Sequence, residues 1–136
     1  MTYTFIDDIL VDYTIDLEIL QPNTTPYRTS LLQHKGVFHF SEAFFGNQND
    51  VTEKFISFFH SVKENNSNLA ITPEYSCPWN AIIHLLNNLD SAPARGNLWV
   101  LGCESVSVQR IQDIQEQYSG NNIEIIFNDN IAQGNA

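Results

Sequence analysis

This chain is poor in positive charge and gathers none of it in one place. Six of its 136 residues are lysine or arginine against sixteen aspartates and glutamates, for a formal net charge of −10. Arg28, Lys35, Lys54, Lys63, Arg95 and Arg110 are scattered along the sequence. A groove that tracks phosphates needs basic side chains clustered on one face. Direct nucleic-acid binding is therefore not expected, nor is attraction to an anionic membrane surface. No apolar run approaches the roughly 18 residues that a membrane span requires. Residues 1–8 offer neither the basic region nor the apolar block of a signal peptide. The expected location is cytoplasmic.

Other absences narrow the chemistry. Cys77 and Cys103 are the only two cysteines, too few for a disulfide scaffold, and they read as free thiols of a reducing compartment. Six dispersed glycines make no phosphate-cradling loop. His34, His39, His60 and His84 show no His-x-x-x-His spacing, and the cysteines show no Cys-x-x-Cys. Neither a metal nor a cofactor is expected. No serine elbow supports a Ser-His-Asp arrangement.

What is present argues for a packed domain. Hydrophobic residues make up 43% and aromatic residues 12%, including nine phenylalanines, which is core material rather than the composition of a disordered chain. Charged residues are only 16%, against roughly 25% in an ordinary soluble domain. Asn, Gln, Ser and Thr fill the gap, giving a polar but lightly charged surface on which an interaction face is possible. The partners this leaves open are a second copy of the chain or a fused or separate protein.

Along the chain, residues 1–34 read as an amino-terminal extension that adds an edge strand or packs on a neighbour. Ile15, Leu17 and Ile19 alternate with Asp16 and Glu18, the period of a half-buried strand, and Gln21–Pro26 breaks it. Residues 35–136 read as one α/β domain. Gly36–Phe40 is the expected first strand. Asp50 and Glu53 have capping-box spacing ahead of a helix whose Val51, Phe55, Phe58, Phe59 and Val62 form one apolar face. Leu69–Thr72 is the second strand. A shorter helix over about Asn80–Leu89 follows, then a third strand at Leu98–Leu101. Ser107 caps a helix carrying Ile111, Ile114 and Tyr118, and Ile123–Phe127 is the last strand. Strands separated by helices of this length predict βαβ crossovers and a largely parallel sheet with flanking helices.

Open α/β sheets place their chemistry at the carboxyl ends of strands. The run Leu69-Ala70-Ile71-Thr72-Pro73-Glu74-Tyr75-Ser76 delivers one carboxylate to such an end. Between Pro73 and the aromatic Tyr75, partial desolvation would suit Glu74 to general-base work; the alternative is a carboxylate that caps a helix or pairs on the surface. Trp79, just beyond Pro78, and Tyr75 are candidates to line a pocket beside it, while Phe44, Phe45 and Trp99 divide between pocket and core. Cys103, after Gly102 and before the third helix, can be activated by a helix amino terminus or can be a small buried residue; Cys77 reads as the latter.

The ordered set over residues 36–105 resembles the first half of the nitrilase, or carbon–nitrogen hydrolase, superfamily. The matching pieces are a first strand and helix, the Pro73-Glu74 strand, and a third strand, Asn97–Ser105, that ends in a glycine followed by a small residue. The resemblance implies half of a four-layer αββα sandwich, and a Glu-Lys-Cys triad that hydrolyses non-peptide amides or nitriles through a thioester, with Glu74 as the general base. No lysine follows Glu74, and Cys103 stands too early to be the nucleophile. The chain by itself is therefore expected to be inactive. Nitrilase-like domains also occur fused to unrelated partners, including reverse transcriptases of bacterial antiphage systems, so a non-catalytic interaction module of a larger assembly is the second expectation. A flavodoxin-like or Rossmann-like domain with a coincidental Pro-Glu accounts for the same β-α-β rhythm.

Overall fold

The computed structural model describes residues 3–6, 27–120 and 122–127. In chain order its elements are β1 (Tyr3–Ile6), β2 (Thr29–Leu31), β3 (Phe38–Phe40), β4 (Phe45–Asn47), α1 (Thr52–Glu64), β5 (Leu69–Ile71), α2 (Trp79–Asn87), a 3-10 turn (Leu89–Ser91), β6 (Leu98–Val100), α3 (Val108–Tyr118) and β7 (Ile123–Ile126). The chain divides into two compact units, Met1–Leu17 with Ser107–Ala136, and Glu18–Val106.

The larger unit is built on a parallel sheet of order β2-β5-β6. Residues Ser30, Ala70 and Trp99 are aligned across it, and so are Leu31, Ile71 and Val100. Successive side chains point to opposite faces of a sheet. The first row faces the core, where Ala70 is fully buried and Trp99 stacks on Phe59 of α1, ring centroids 5.3 Å apart. From α1 come Phe55, Phe59 and Val62, and from α2 come Ala81, Ile82, Leu85 and Leu86, all buried. These are the apolar stripes that helical spacing predicts.

Both helices lie over that one face for a topological reason. β2, β5 and β6 follow one another in space in their chain order, so both crossovers step the same way. Right-handed crossovers that step the same way put their helices on the same side, and α1 and α2 pack together. Among the described residues nothing covers the other face. It presents Leu31 (70% exposed), Leu98 (51%), Val100 (45%) and Ile71 (36%) to solvent.

The helix ends follow local chemistry. The Asp50 carboxylate accepts hydrogen bonds from the Thr52 amide (3.0 Å) and hydroxyl (2.6 Å). Asp50 stands one residue before the cap position at Val51, so Glu53 is the second helical residue rather than the third, and the expected capping box is not formed. At the other end Asn66 adopts φ 51°, and the bonds Ser67 N–H to Val62 O and Asn66 N–H to Lys63 O close a Schellman motif.

One expectation is corrected. Phe38–Phe40 is not the first strand of the parallel sheet; it pairs antiparallel with β4 as a separate two-stranded hairpin. The first parallel strand is β2, which lies within residues 1–34. Thr29-Ser30-Leu31 carries little apolar signal, and its position is fixed by pairing: Asn68 and Leu69 both donate to Arg28 O, and Leu32 donates to Ile71 O. The strand expected around Ile15–Ile19 lies outside the described residues.

The smaller unit pairs β1 with β7 in parallel, from Tyr3 opposite Ile123 to Ile6 opposite Ile126. α3 begins as expected, with the Ser107 hydroxyl accepting from the Arg110 amide at 3.1 Å. Ile114 and Ile123 are buried there, and the Gln115 side-chain amide donates to Ile125 O at 2.9 Å.

Candidate functional site

The carboxyl ends of β5 and β6 meet in a dense polar cluster. Beyond β5, Thr72 is buried, and its hydroxyl accepts from the Gly102 amide at 3.0 Å. The chain then turns through Pro73-Glu74-Tyr75-Ser76, closed by the Ser76 hydroxyl donating to Pro73 O at 2.6 Å. Ser76 and Cys77 amides both donate to Gly102 O at 2.8 Å. Gly102 is needed here, because a Cβ on it would stand 2.6 Å from Glu74 Cα and closer still to Pro73 O. The two strand ends are thus laid against each other backbone to backbone.

Glu74 is exposed in this turn. Among the described residues nothing hydrogen-bonds or ion-pairs its carboxylate. The expected partial desolvation is therefore not found, because the turn carries the side chain outward rather than under the aromatic residues. Tyr75 has φ 58°, in the left-handed region that Gly and Asn favour. Its ring stands 5.7 Å from that of Phe45 and 6.4 Å from that of Phe40, so the hairpin and the turn form an exposed aromatic patch beside Glu74. Trp79 is the first residue of α2 rather than part of a loop, and its indole N–H donates to Glu104 O at 2.7 Å. It ties α2 to the segment after β6.

The inner part of the cluster is a directed chain of hydrogen bonds. An ammonium can only donate, so Lys54 Nζ donates to His34 Nδ1 (2.7 Å). His34 then donates from Nε2 to Asn47 Oδ1 (2.7 Å). Asn47 Nδ2 donates in turn to Ser76 O (2.7 Å) and to Glu104 Oε2 (2.9 Å). The Asn47 amide also donates to Glu104 Oε2, at 2.7 Å. Gly46 makes room for that carboxylate; a Cβ there would come within 2.6 Å of Glu104 Oε2. The result is a path from the Lys54 ammonium through His34 and Asn47 to the Glu104 carboxylate.

Sequence reasoning placed Glu74, Tyr75 and Trp79 in one region, and the structure does gather them at the carboxyl ends of the sheet. It missed His34, Asn47, Lys54 and Glu104, which come from four separated stretches of chain with no shared spacing. The one visible signal was Gly102-Cys103-Glu104 directly after a strand.

Cys77 and Cys103 are also brought together, as partners of an isolated parallel β-bridge. The adjoining Cys103 sulfur and burial hold the Cys77 thiol well above the usual thiol range. Among the described residues no three His, Cys, Asp or Glu side chains converge as a metal site. A cavity of about 80 Å³ at the amino ends of β5 and β6, lined by Ser67, Asn97 and Trp99, is far below the roughly 300 Å³ at which small-molecule sites begin. No helix of the described residues is long and apolar enough to cross a membrane. No family model, no curated protein and no solved structure matches this chain.

Proposed function

We propose that this chain works as an interaction layer, one α/β layer of a sandwich completed by a second sheet. The observation that carries this reading is the bare face of β2-β5-β6, with Leu31, Ile71, Leu98 and Val100 exposed on it. Apolar sheet faces are stable when another layer covers them, and exposed apolar patches mark interaction sites. The occupant is a second copy of the chain. The face has a central strand with one strand on each side, so a two-fold axis parallel to β5 and midway between the two layers sets each row of side chains on its own equivalent. No charged residue stands in the three strands, so two chains of net charge −10 can meet there without opposing carboxylates.

Analytical ultracentrifugation tests this. The expected result is a concentration-dependent dimer that tightens as salt screens the net negative charge and is lost in Ile71→Lys. A monomer at all concentrations, in low and high salt, removes the reading, and so does a dimer indifferent to Ile71→Lys. Binding of a different protein through the same face would replace the second copy with a partner.

A second reading is a carbon–nitrogen-hydrolase-like layer with Glu74 as the base, in a protein whose lysine and nucleophilic cysteine come from elsewhere. Its specific support is the position of Glu74, an unpaired carboxylate directly beyond the central parallel strand. The chain alone is then inert toward amides and nitriles, and Glu74→Ala changes nothing. Hydrolysis by the wild-type chain that disappears in Glu74→Ala contradicts this inertness. The coding sequence past Ala136 decides the fragment form: an open frame with a lysine and then a cysteine at strand ends supports it, and a stop codon removes it.

A further inference from the structure

The fold sets two cysteines face to face. Cys77 lies in the segment after β5 and Cys103 in the segment after β6, and their backbones are direct partners of a parallel bridge. Neighbouring strands run about 4.7–4.9 Å apart, inside the roughly 4.4–6.8 Å over which a disulfide joins two Cα atoms. As direct bridge partners the two residues send their side chains to the same face of the paired segments, so the thiols are neighbours as well as the backbones. The two differ in access: Cys77 is fully buried and Cys103 is partly exposed.

We propose that Cys77 and Cys103 form a reversible dithiol–disulfide couple, a redox modification site that fastens the Glu74 turn to the segment carrying Glu104. The oxidant is a small dialkyl disulfide such as oxidised glutathione. Exposure assigns the order of events. The Cys103 thiol loses its proton to solvent, and its sulfur attacks the small disulfide. This forms a Cys103–glutathione bond and releases one glutathione thiolate. The Cys77 thiol then gives up its proton, and its sulfur attacks the Cys103 sulfur, forming the Cys77–Cys103 bond and expelling the second glutathione thiolate. Two protein thiols are oxidised by two electrons, and one glutathione disulfide is reduced to two thiols. The burial that holds the Cys77 thiol up makes it a poor first nucleophile and leaves it the resolving partner.

The bond would reinforce contacts already present. Glu104 N–H donates to Cys77 O at 2.9 Å, and Asn47 Nδ2 bridges Ser76 O and Glu104 Oε2. A covalent tie in this position holds the exposed turn of Glu74 and Tyr75 against the end of β6.

The test treats the whole chain, folded, with oxidised glutathione, then denatures it and alkylates the remaining thiols with N-ethylmaleimide before intact-mass and peptide analysis. The expected reading is loss of both alkylatable thiols, a mass lower by two hydrogens, and a peptide joining Cys77 to Cys103. Cys77→Ser should instead accumulate glutathione on Cys103, and Cys103→Ser should leave Cys77 unmodified. Two thiols that stay alkylatable in the folded wild-type chain, a glutathione adduct that persists on Cys103 there, or a disulfide between two chains would each overturn the proposal. The wild-type reading stands by itself if a variant does not fold, and it is independent of whether the bare sheet face dimerises.

Discussion

Asn47 and Glu104, 57 residues apart, are joined at a single carboxylate oxygen. The Asn47 amide donates to Glu104 Oε2 at 2.7 Å, and its side chain donates to the same atom at 2.9 Å. One residue of the β3–β4 hairpin thereby holds the segment after β6, and through Ser76 O it also holds the turn after β5. Asn47 is buried, so the loss of Glu104 leaves the Asn47 amide and side-chain donors without this acceptor.

Asn47→Ala removes three hydrogen bonds made by a side chain in a residue that is 8% exposed. Unpaired buried polar groups cost about 1–3 kcal/mol each, and some of that is recovered by water. The expected loss is about 2–4 kcal/mol in chemical denaturation. Asn47→Asp should be at least as harmful, because it sets a second carboxylate against Glu104. A loss under about 0.5 kcal/mol in Asn47→Ala, the range of an ordinary surface substitution, would show that the cluster is not part of the folded framework.

Gly102→Ala sets a methyl group into the backbone of Pro73 and Glu74. Backbone cannot turn aside as a flexible side chain can, so the two strand ends must separate. A destabilisation of about 1–3 kcal/mol is expected, together with faster amide hydrogen exchange at Ser76 and Cys77, which both donate to Gly102 O. Unchanged exchange at those two amides would contradict the close approach.

Tyr75 gives a reversal of the usual ordering of glycine and alanine. Both Tyr75→Gly and Tyr75→Ala remove the ring that meets Phe40 and Phe45. Only glycine adopts φ 58° without the Cβ clash that costs about 1–2 kcal/mol. Tyr75→Gly is therefore expected to be the more stable of the two by about 1 kcal/mol, whereas in a helix or strand interior alanine is the better residue. Equal melting temperatures would mean that the turn relaxes out of the left-handed region.

Asp50 supplies the acid dependence. Hydrogen bonds from the Thr52 hydroxyl, and then from its amide, hold the carboxyl below its ordinary value of 3.8. A folded-state value below the unfolded one means that the ionised group stabilises the fold above the unfolded value. That contribution is lost as pH falls through the folded value. The stability difference between wild type and Asp50→Ala is expected to be constant from neutral pH down to about 4 and to vanish below that, read from denaturant midpoints across pH. A difference that grows on acidification would reverse the assignment.

How much was legible in advance depends on the range of the interactions concerned. The stripes of α1 and α2, the Ser107 cap, and the strands Leu69–Ile71 and Leu98–Val100 all rest on residues within a few positions of one another. Helical period, alternation and capping are local, and the linear order displays them. Pro73-Glu74 was likewise visible at a strand end, and the structure confirms its place beyond β5. β2 was not visible, because three residues with one apolar side chain become a strand only by pairing with a neighbour 40 positions along.

By itself the sequence determined an acidic α/β chain with parallel strands, amphipathic helices and a carboxylate at a strand end, since each of these follows from short-range chemistry. Tertiary structure alone decided the rest. Strand order placed both helices on one face and, among the described residues, left the other uncovered. The side-by-side ends of β5 and β6 brought Cys77 to Cys103, and the hairpin brought Asn47 to Glu104. These are pairings between distant segments, and they are set by how the sheet closes rather than by the character of any one stretch of chain.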